Sequence, residues 1–288
     1  MGALLGLARS SLRMACVFLR PRKRPLFAAG VCFSTCIVVW AVATLLLRSV
    51  IAQPSAEKVV AIIDSWPKSS SEVLEVLARA YDGLDGQRLN KDDLARASEL
   101  GITFQKTYGE FTSEGVDVLL ETLNVSSGDV FCDLGSGAGK VVMQAYLQRR
   151  PKEAIGIELS EARHKLAEVA HSRLLTLAPA VASDPKSGPL TYVHGDVPNS
   201  DSTLSRCNKI FFCSRVWPPE LLDKMVHRFI SHDFQHKPVW VASSKELKAF
   251  GGIMGTNQFP GKARFVRHTR VETSWGASFI SLYMLHES

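Results

Sequence analysis

The sequence predicts an α/β fold in which a doubly wound sheet ends in a β-hairpin. Short apolar runs of strand length alternate with helical patterns from residue 114 onward, which is typical of such a sheet. A turn containing three glycines follows the first run and opens a helix, as at the first strand of this fold. No helical pattern separates the last two strand patterns, so we expect them to pair antiparallel.

The first 56 residues differ from the remainder in charge and hydropathy. They hold seven basic residues and no acid, so residues 57–288 carry a formal charge of −1 although the whole chain carries +6. Leu26–Leu47 contains 22 uncharged, mostly apolar residues, enough to cross a hydrocarbon core of about 30 Å as a helix. A signal-peptide core would be shorter, about 7–15 residues. The sequence therefore predicts a transmembrane helix over residues 26–47, with a cleaved targeting segment as the alternative.

Residues 1–25 are rich in arginine and free of acids, which is the composition of a mitochondrial presequence. We therefore predict a single-pass membrane protein and favour a mitochondrial membrane, with an endomembrane or the nucleus as alternatives. Because the positive-inside rule alone would send the catalytic part across the membrane, the topology stays open.

A helical lead-in is predicted between the membrane segment and the sheet, over residues 57–107. Val73, Leu74, Val76 and Leu77 recur at helical spacing. The glycine-containing segment Asp82–Gly86 interrupts the pattern, which resumes at residue 91. The remaining domain is predicted over residues 108–288.

The elements of that domain follow in chain order. The predicted strands are Val130–Leu134, Ala154–Ile157, Leu190–Val193, Lys209–Phe212, Val239–Ala242, Ala263–Val271 and Phe279–Leu285. The predicted helices are Glu114–Leu123, Lys140–Arg149, Glu161–Thr176 and Glu220–Ile230, and a loop is predicted over Pro179–Pro189. The last two strands form the expected hairpin.

The turn after the first strand carries the clearest functional signal. Asp133, Gly135, Gly137 and Gly139 give the spacing D-x-G-x-G-x-G, which differs from the G-x-G-x-x-G of dinucleotide sites. Glycines allow positive φ and close approach of a ligand to the backbone. Glu158 ends the second strand, where an acid can bind both hydroxyls of a ribose. The spacing disfavours a nicotinamide-dependent oxidoreductase.

The six cysteines show neither a C-x-x-C pair nor a metal-ligand spacing. Cys132 falls within the first predicted strand and Cys213 at the end of the fourth, positions that suit small apolar residues. We expect buried free thiols, no disulfide framework and no metal site.

The glycine motif resembles the first motif of the S-adenosyl-L-methionine methyltransferases, whose class I members have a Rossmann-like sheet of seven strands. Further stretches at matching positions are Tyr108-Gly109-Glu110, Gly195-Asp196, Ser243-Ser244-Lys245 and Ser274-Trp275. In this order they resemble the disruptor-of-telomeric-silencing (DOT-type, non-SET) histone-lysine methyltransferases over about residues 77–286. The resemblance implies S-adenosyl-L-methionine as the cofactor and a protein substrate that presents a lysine.

The resemblance also implies which residues bind the cofactor. The residues at the methionine end of the cofactor would be Tyr108, Gly109, Glu110 and Phe111. The cradle would consist of Phe131, Asp133, Leu134, Gly135, Ser136, Gly137, Gly139 and Lys140. Glu158 would bind the ribose, and Asp196 and Val197 would contact the adenine. The family usually carries an asparagine near the target amine, and Ser214 takes that position here. Ser214 and Tyr283, which lies next to Met284 in the closing hairpin, are the candidate catalytic residues.

A second similarity, to small mitochondrial lysine methyltransferases with one membrane helix before a D-L-G-S-G domain, favours a membrane-anchored enzyme with a non-histone substrate. A DOT-type histone-lysine N-methyltransferase is the alternative, and a cofactor-binding but inactive scaffold is a further one. The domain's charge of −1 provides no global basic surface, so we expect no strong binding of nucleic acid by the catalytic domain.

Overall fold

Seven strands form one mixed sheet in the computed structural model of the protein, which describes residues 65–86, 89–99 and 109–285. The strand order is β3-β2-β1-β4-β5-β7-β6. The first five strands run parallel, whereas β7 pairs antiparallel with β5 and with β6. The strands are β1 (Val130–Leu134), β2 (Glu153–Glu158), β3 (Leu190–His194), β4 (Lys209–Phe212), β5 (Val239–Ser243), β6 (Ala263–Thr273) and β7 (Gly276–Leu285).

Helices cover both faces of this sheet. They are α1 (Ser70–Ala80), α2 (Lys91–Glu99), α3 (Ser113–Thr122), α4 (Lys140–Arg149), α5 (Glu161–Leu177), α6 (Pro179–Ser183), α7 (Asp201–Leu204) and α8 (Pro219–Ser231). Successive residues of β1 point to opposite faces. Phe131 therefore packs in a buried cluster with α3 and α4, whereas Cys132 packs in one with α7 and α8. Burial on both faces explains why the strands appear in the sequence as continuous apolar runs.

The predicted order of strands and helices is confirmed, with ends that differ by a few residues. One difference is of type, because the segment predicted as a loop over Pro179–Pro189 begins with the short helix α6. Its first residue is Pro179, and proline is well tolerated at the start of a helix because the first N–H groups have no intrahelical partner. The described residues of the predicted lead-in form α1 and α2.

The prediction that no disulfide forms is wrong for one pair of cysteines. Cys132 in β1 and Cys207, just before β4, are disulfide-bonded, with their Cα atoms 5.9 Å apart. Both are fully buried, as expected, and Cys213 is free. The 75 residues that separate the pair in sequence hide their proximity, which arises because β1 and β4 are neighbours in the sheet.

The predicted membrane helix over Leu26–Leu47 and the basic segment 1–25 lie outside the described residues. Within the part of the chain that the structure describes, no helix has the length and apolar character needed to cross a bilayer.

Candidate functional site

The five parallel strands end at one edge of the sheet, and the candidate site lies there. In a doubly wound sheet, ligands bind outside the carboxyl ends of the strands, where the strand order reverses. Here β2 and β4 lie on opposite sides of β1, so the reversal occurs at β1. The turn that follows β1 therefore has the position of a ligand-binding turn.

The three glycines of this turn all have positive φ, with values of 79° at Gly135, 57° at Gly137 and 82° at Gly139. Side chains other than hydrogen are strained in this conformation. At Gly139 an added Cβ would also lie 2.4 Å from the ring of Tyr192. The turn therefore requires glycine both for its backbone conformation and for its packing.

Glu158, at the end of β2, is held by the backbone from two sides. The N–H of Gly137 donates to its Oε2 at 2.7 Å, and the N–H of Ser160 donates to its Oε1 at 2.8 Å. The side chain is only 5% exposed, and burial raises the pKa of its carboxyl group although both N–H groups lower it. The carboxylate is thus fixed against the glycine turn, with lone pairs left on both oxygens for a ligand.

Asp133, two residues before the first glycine of the turn, is buried as well. Burial, together with the smaller effect of the nearby Glu158 carboxylate, raises the pKa of its carboxyl group to about 8. Among the described residues, neither its Oδ1 atom nor the hydroxyl of Ser136 has a hydrogen-bond partner. Buried polar atoms without partners are costly. Their presence just before and within the glycine turn fits a site that a polar ligand completes.

The residues predicted to contact the adenine follow β3. Asp196 is half-buried, and its Oδ2 accepts a hydrogen bond from the side chain of Asn199. Val197 is buried in the core cluster beside it. Two predicted cradle residues of β1, Phe131 and Leu134, are fully buried in the two core clusters. They belong to the buried strand that leads into the glycine turn.

The segment Gly109–Phe111 closes the site on another side. Lys140, at the start of α4, forms an ion pair with Glu110. The N–H of Ser274, in the turn between β6 and β7, donates to the Glu110 carbonyl at 2.8 Å. Tyr108 lies outside the described residues. The segment is therefore tied both to the glycine turn and to the terminal hairpin.

Aromatic rings pack against this segment. The Phe111 ring lies edge-on to Phe211 at 5.0 Å and to Trp275 at 6.3 Å between centroids. An added Cβ at Gly109 would lie 2.2 Å from the Trp275 ring, and the indole N–H of Trp275 is buried without a partner in the described part of the chain. On the other side, an added Cβ at Gly135 would lie 3.3 Å from the Trp217 ring.

The two candidate catalytic residues both lie in the interior. Ser214 is fully buried; its Oγ is 2.7 Å from Oγ of Ser243 and accepts a hydrogen bond from the N–H of Lys245 at 2.9 Å. Tyr283 is fully buried among aromatic side chains, and its hydroxyl oxygen accepts from the N–H of Leu247 at 2.7 Å. Ser214 lies just after β4 and Tyr283 lies on β7. Their hydroxyls bind different groups, Ser243 and Lys245 for Ser214 and Leu247 for Tyr283, and share no hydrogen bond.

Several supports of the site were not predicted. The hydroxyl of Tyr192 donates to the Gly139 carbonyl at 3.1 Å, and that of Tyr81 donates to the Ala138 carbonyl at 2.9 Å. Asp93 binds the start of α5 next to Glu158. These three residues come from β3 and from the lead-in, and their proximity to the glycine turn arises only from tertiary packing.

A family model described as "Histone methylation protein DOT1" matches residues 101–254 of this chain, more than half of its length. The chain belongs to this family. The predicted resemblance to DOT-type methyltransferases is thereby confirmed, and the seven-stranded sheet with its terminal hairpin is the predicted methyltransferase architecture.

Similar DOT1 relatives carry the name "Histone-lysine N-methyltransferase, H3 lysine-79 specific". The protein from Chaetomium globosum is 29% identical over 178 residues, which are 58% of this chain and 32% of the relative. That from Aspergillus fumigatus is 30% identical over 132 residues, 43% of this chain and 24% of the relative. The chain thus spans about a third or less of the length of these relatives.

Among solved structures, an RNA methyltransferase from Salinibacter ruber in complex with S-adenosyl-L-homocysteine is 18% identical, with a TM-score of 0.41, and the match covers 60% of this chain and 91% of that one. A putative RNA methyltransferase from Pyrococcus horikoshii is 14% identical, with a TM-score of 0.41 over 75% of this chain and 96% of that one.

The cofactor of this DOT1-family protein is S-adenosyl-L-methionine, and the residues present fit it. The cradle has the glycines that a closely approaching ligand needs, and a fixed acid at the end of β2. The unpaired atoms of Asp133 and Ser136 provide further polar contacts. In the described part of the chain, no group of three or more His, Cys, Asp or Glu side chains is arranged to hold a metal ion.

Proposed function

We propose that this protein is an S-adenosyl-L-methionine-dependent protein-lysine N-methyltransferase and that its substrate is a histone lysine. The observation that carries the proposal is the contact between Gly137 and Glu158, which joins the glycine turn to the acid of β2 in a chain of the DOT1 family. The names of its relatives support lysine as the acceptor and a histone as the substrate.

S-adenosyl-L-methionine supplies a methyl group on a positively charged sulfur. The acceptor amine must be neutral and in line with that methyl group, so the contribution of the protein is mainly to bind, orient and exclude water. Glu158 would bind the ribose, Asp196 the adenine, and the segment around Glu110 the methionine end. The rings of Phe111, Trp217 and Trp275 would wall the approach to the sulfur and exclude water.

The test is transfer of labelled methyl groups by the full-length protein to nucleosomes. We expect labelling of histone H3. Nucleosomes whose H3 carries arginine in place of the lysine named for the relatives should not be labelled. The Gly137→Arg variant should label neither these nucleosomes nor unaltered ones. Binding of S-adenosyl-L-homocysteine without transfer to any protein would instead favour a cofactor-binding but inactive scaffold.

A non-histone substrate in a membrane is the second candidate. The uncharged segment Leu26–Leu47 favours it, because an anchored enzyme acts most readily on proteins in the same membrane. The charge of −1 on residues 57–288 favours it too, since nucleosome binding depends on basic residues that contact phosphates. Labelling of fractionated mitochondrial membranes, with no labelling of nucleosomes, would select this candidate over the histone substrate.

The location of the protein bears on the same choice, and we propose that residues 1–56 direct it to a membrane, with mitochondria favoured. The proposal rests on the arginine-rich, acid-free composition of residues 1–25 and the apolar run that follows. A fluorescent reporter fused to residues 1–56 should accumulate at mitochondrial membranes and resist carbonate extraction. A nuclear signal that carbonate extracts would contradict the membrane span.

A further inference from the structure

Helix α2 places a buried carboxylate against the start of α5. Asp93 is only 5% exposed, and its Oδ1 accepts a hydrogen bond from the N–H of Glu161 at 2.8 Å. Its Oδ2 accepts from the hydroxyl of Ser160 at 2.9 Å and from the N–H of Ala162 at 3.3 Å. Burying a carboxylate is costly unless such charge-assisted hydrogen bonds offset the lost hydration. The contact therefore fixes α2 and the start of α5 relative to each other.

Ser160 connects this contact to the cofactor cradle. Its hydroxyl is bound by Asp93, and its own N–H donates to Oε1 of Glu158 at 2.8 Å. The other oxygen of Glu158 is bound by the N–H of Gly137. A continuous chain of hydrogen bonds thus runs from Asp93 through Ser160 and Glu158 to the glycine turn.

A second residue of the lead-in supports the opposite side of the same turn. Tyr81 directly follows α1, and its hydroxyl donates to the carbonyl of Ala138. Both Tyr81 and Asp93 precede residue 101, where the match to the DOT1 family model begins. The lead-in is thus in direct contact with the cradle, although it lies outside the matched residues.

We propose that Asp93 is a positioning residue of the cofactor site, which acts through Ser160 on the carboxylate of Glu158 and makes helix α2 part of that site. The proposal rests on the proposed function, because it takes Glu158 to be the acid that binds the ribose. Loss of Asp93 removes the acceptor of the Ser160 hydroxyl and of the N–H groups of Glu161 and Ala162. The peptide whose N–H holds Glu158 is then less firmly fixed, which weakens the orientation of the carboxylate.

The competing explanation is that Asp93 only stabilises the start of α5. Negative groups at a helix N-terminus stabilise the helix through its dipole and its free N–H groups. Such a role would lower the unfolding temperature of a variant but leave its affinity for the cofactor unchanged. The two explanations therefore predict different dissociation constants for the cofactor but the same loss of stability.

The experiment compares Asp93→Ala with Asp92→Asn in the full-length protein. Asp92 is the matched control because it is an exposed acid of the same helix turn. Calorimetry measures the dissociation constant of S-adenosyl-L-homocysteine, and steady-state kinetics separate KM for S-adenosyl-L-methionine from kcat. We expect Asp93→Ala to raise both the dissociation constant and KM about tenfold with little change in kcat, and Asp92→Asn to change neither.

A double-mutant cycle with Ser160→Ala tests the route through Ser160. If Asp93 acts on Glu158 through that hydroxyl, the double variant should bind S-adenosyl-L-homocysteine about as weakly as Asp93→Ala alone. Asp93→Asn, which has the same shape, replaces Asp93→Ala if the latter does not fold, and the expected direction is the same.

Two outcomes would overturn the proposal, and they are distinguishable. Wild-type protein that binds the cofactor, with Asp93 variants that bind it equally well and only unfold at a lower temperature, would leave Asp93 as a helix cap. Wild-type protein that does not bind the cofactor at all would remove the proposed function together with this inference.

Discussion

The two ends of the site differ in what their buried polar atoms do. At the β1–β2 end, Oδ1 of Asp133 and the hydroxyl of Ser136 have no partner in the part of the chain that the structure describes. At the β4–β5 end, the hydroxyls of Ser214 and Tyr283 are bound to other groups of the protein. An unpaired buried polar atom is costly, whereas a paired one is not. The first end therefore has buried polar atoms that a ligand can pair, whereas the hydroxyls of Ser214 and Tyr283 already have partners within the protein.

The largest effect is expected at the β1–β2 end. Gly137→Arg puts a long side chain on a residue with a φ of 57°, next to the N–H that binds Glu158. We expect the affinity for S-adenosyl-L-homocysteine to fall more than about 100-fold, or about 2.7 kcal/mol. Titration calorimetry measures this affinity. Gly128→Arg is the control, because Gly128 is exposed with no atom within 4 Å of an added Cβ. Equal binding by wild type and Gly137→Arg would break the comparison.

The sequence predicted the first end far better than the second. The spacing of Asp133, Gly135 and Gly137 is local, and a strand, a turn and a helix within a short segment decide its geometry. Glu158 was placed correctly because parallel neighbours end at the same edge of the sheet. The order of strands and helices was therefore predictable from the sequence, as was the position of the turn and Glu158 at one edge of the sheet; that these residues bind the cofactor stays a prediction.

The contacts that were missed all depend on tertiary packing. Ser214 meets Ser243 29 residues later in the chain, and Asp93 meets Ser160 after 67 residues. The partnership between Cys132 and Cys207 was missed for the same reason. No local pattern of residue types records such pairs, and a buried hydroxyl in a strand or turn has the same sequence appearance whether or not it faces a substrate.

A second prediction concerns the stability of the β4–β5 end. Tyr283→Phe removes the acceptor for the N–H of Leu247 and leaves a buried donor unpaired, which should lower the free energy of unfolding by about 1–3 kcal/mol. Chemical denaturation measures this change, and calorimetry should show unchanged affinity for S-adenosyl-L-homocysteine. Tyr146→Phe is the matched control for the loss of a tyrosine hydroxyl. A weaker cofactor affinity at full stability would assign Tyr283 to the cofactor site instead.

Ser214→Ala sharpens the comparison at the transfer step. The substitution removes the hydroxyl that orders the N–H of Lys245 at the end of β5, so we expect kcat for methyl transfer to fall about tenfold, or about 1.4 kcal/mol. The dissociation constant of S-adenosyl-L-homocysteine should stay constant, because the hydrogen bonds of Ser214 join Ser243 and Lys245 and not the glycine turn. Ser231→Ala, on the exposed end of α8, is the control. Unchanged kcat would exclude Ser214 from the transfer step.

A further effect is expected on the pH dependence of stability. Burial raises the pKa of Asp133 from 3.8 to about 8, so between these pH values the folded protein holds a proton that the unfolded chain has released. The free energy of unfolding should therefore fall as the pH rises from about 4 to 8. Asp133→Asn removes this proton and should reduce the slope by about 1 kcal/mol per pH unit. Denaturation curves at several pH values measure it, and an identical slope in the variant would mean that Asp133 is ionised when buried.

The most direct test of the comparison is a crystal structure of the full-length protein with S-adenosyl-L-homocysteine. It should show the ribose on Glu158, the buried polar atoms of Asp133 and Ser136 in contact with the ligand or with water that the ligand orders, and Ser214 still bound to Ser243. A ligand bound away from the glycine turn, or a cradle whose polar atoms stay unpaired while Ser214 leaves Ser243 to bind the ligand, would contradict the account.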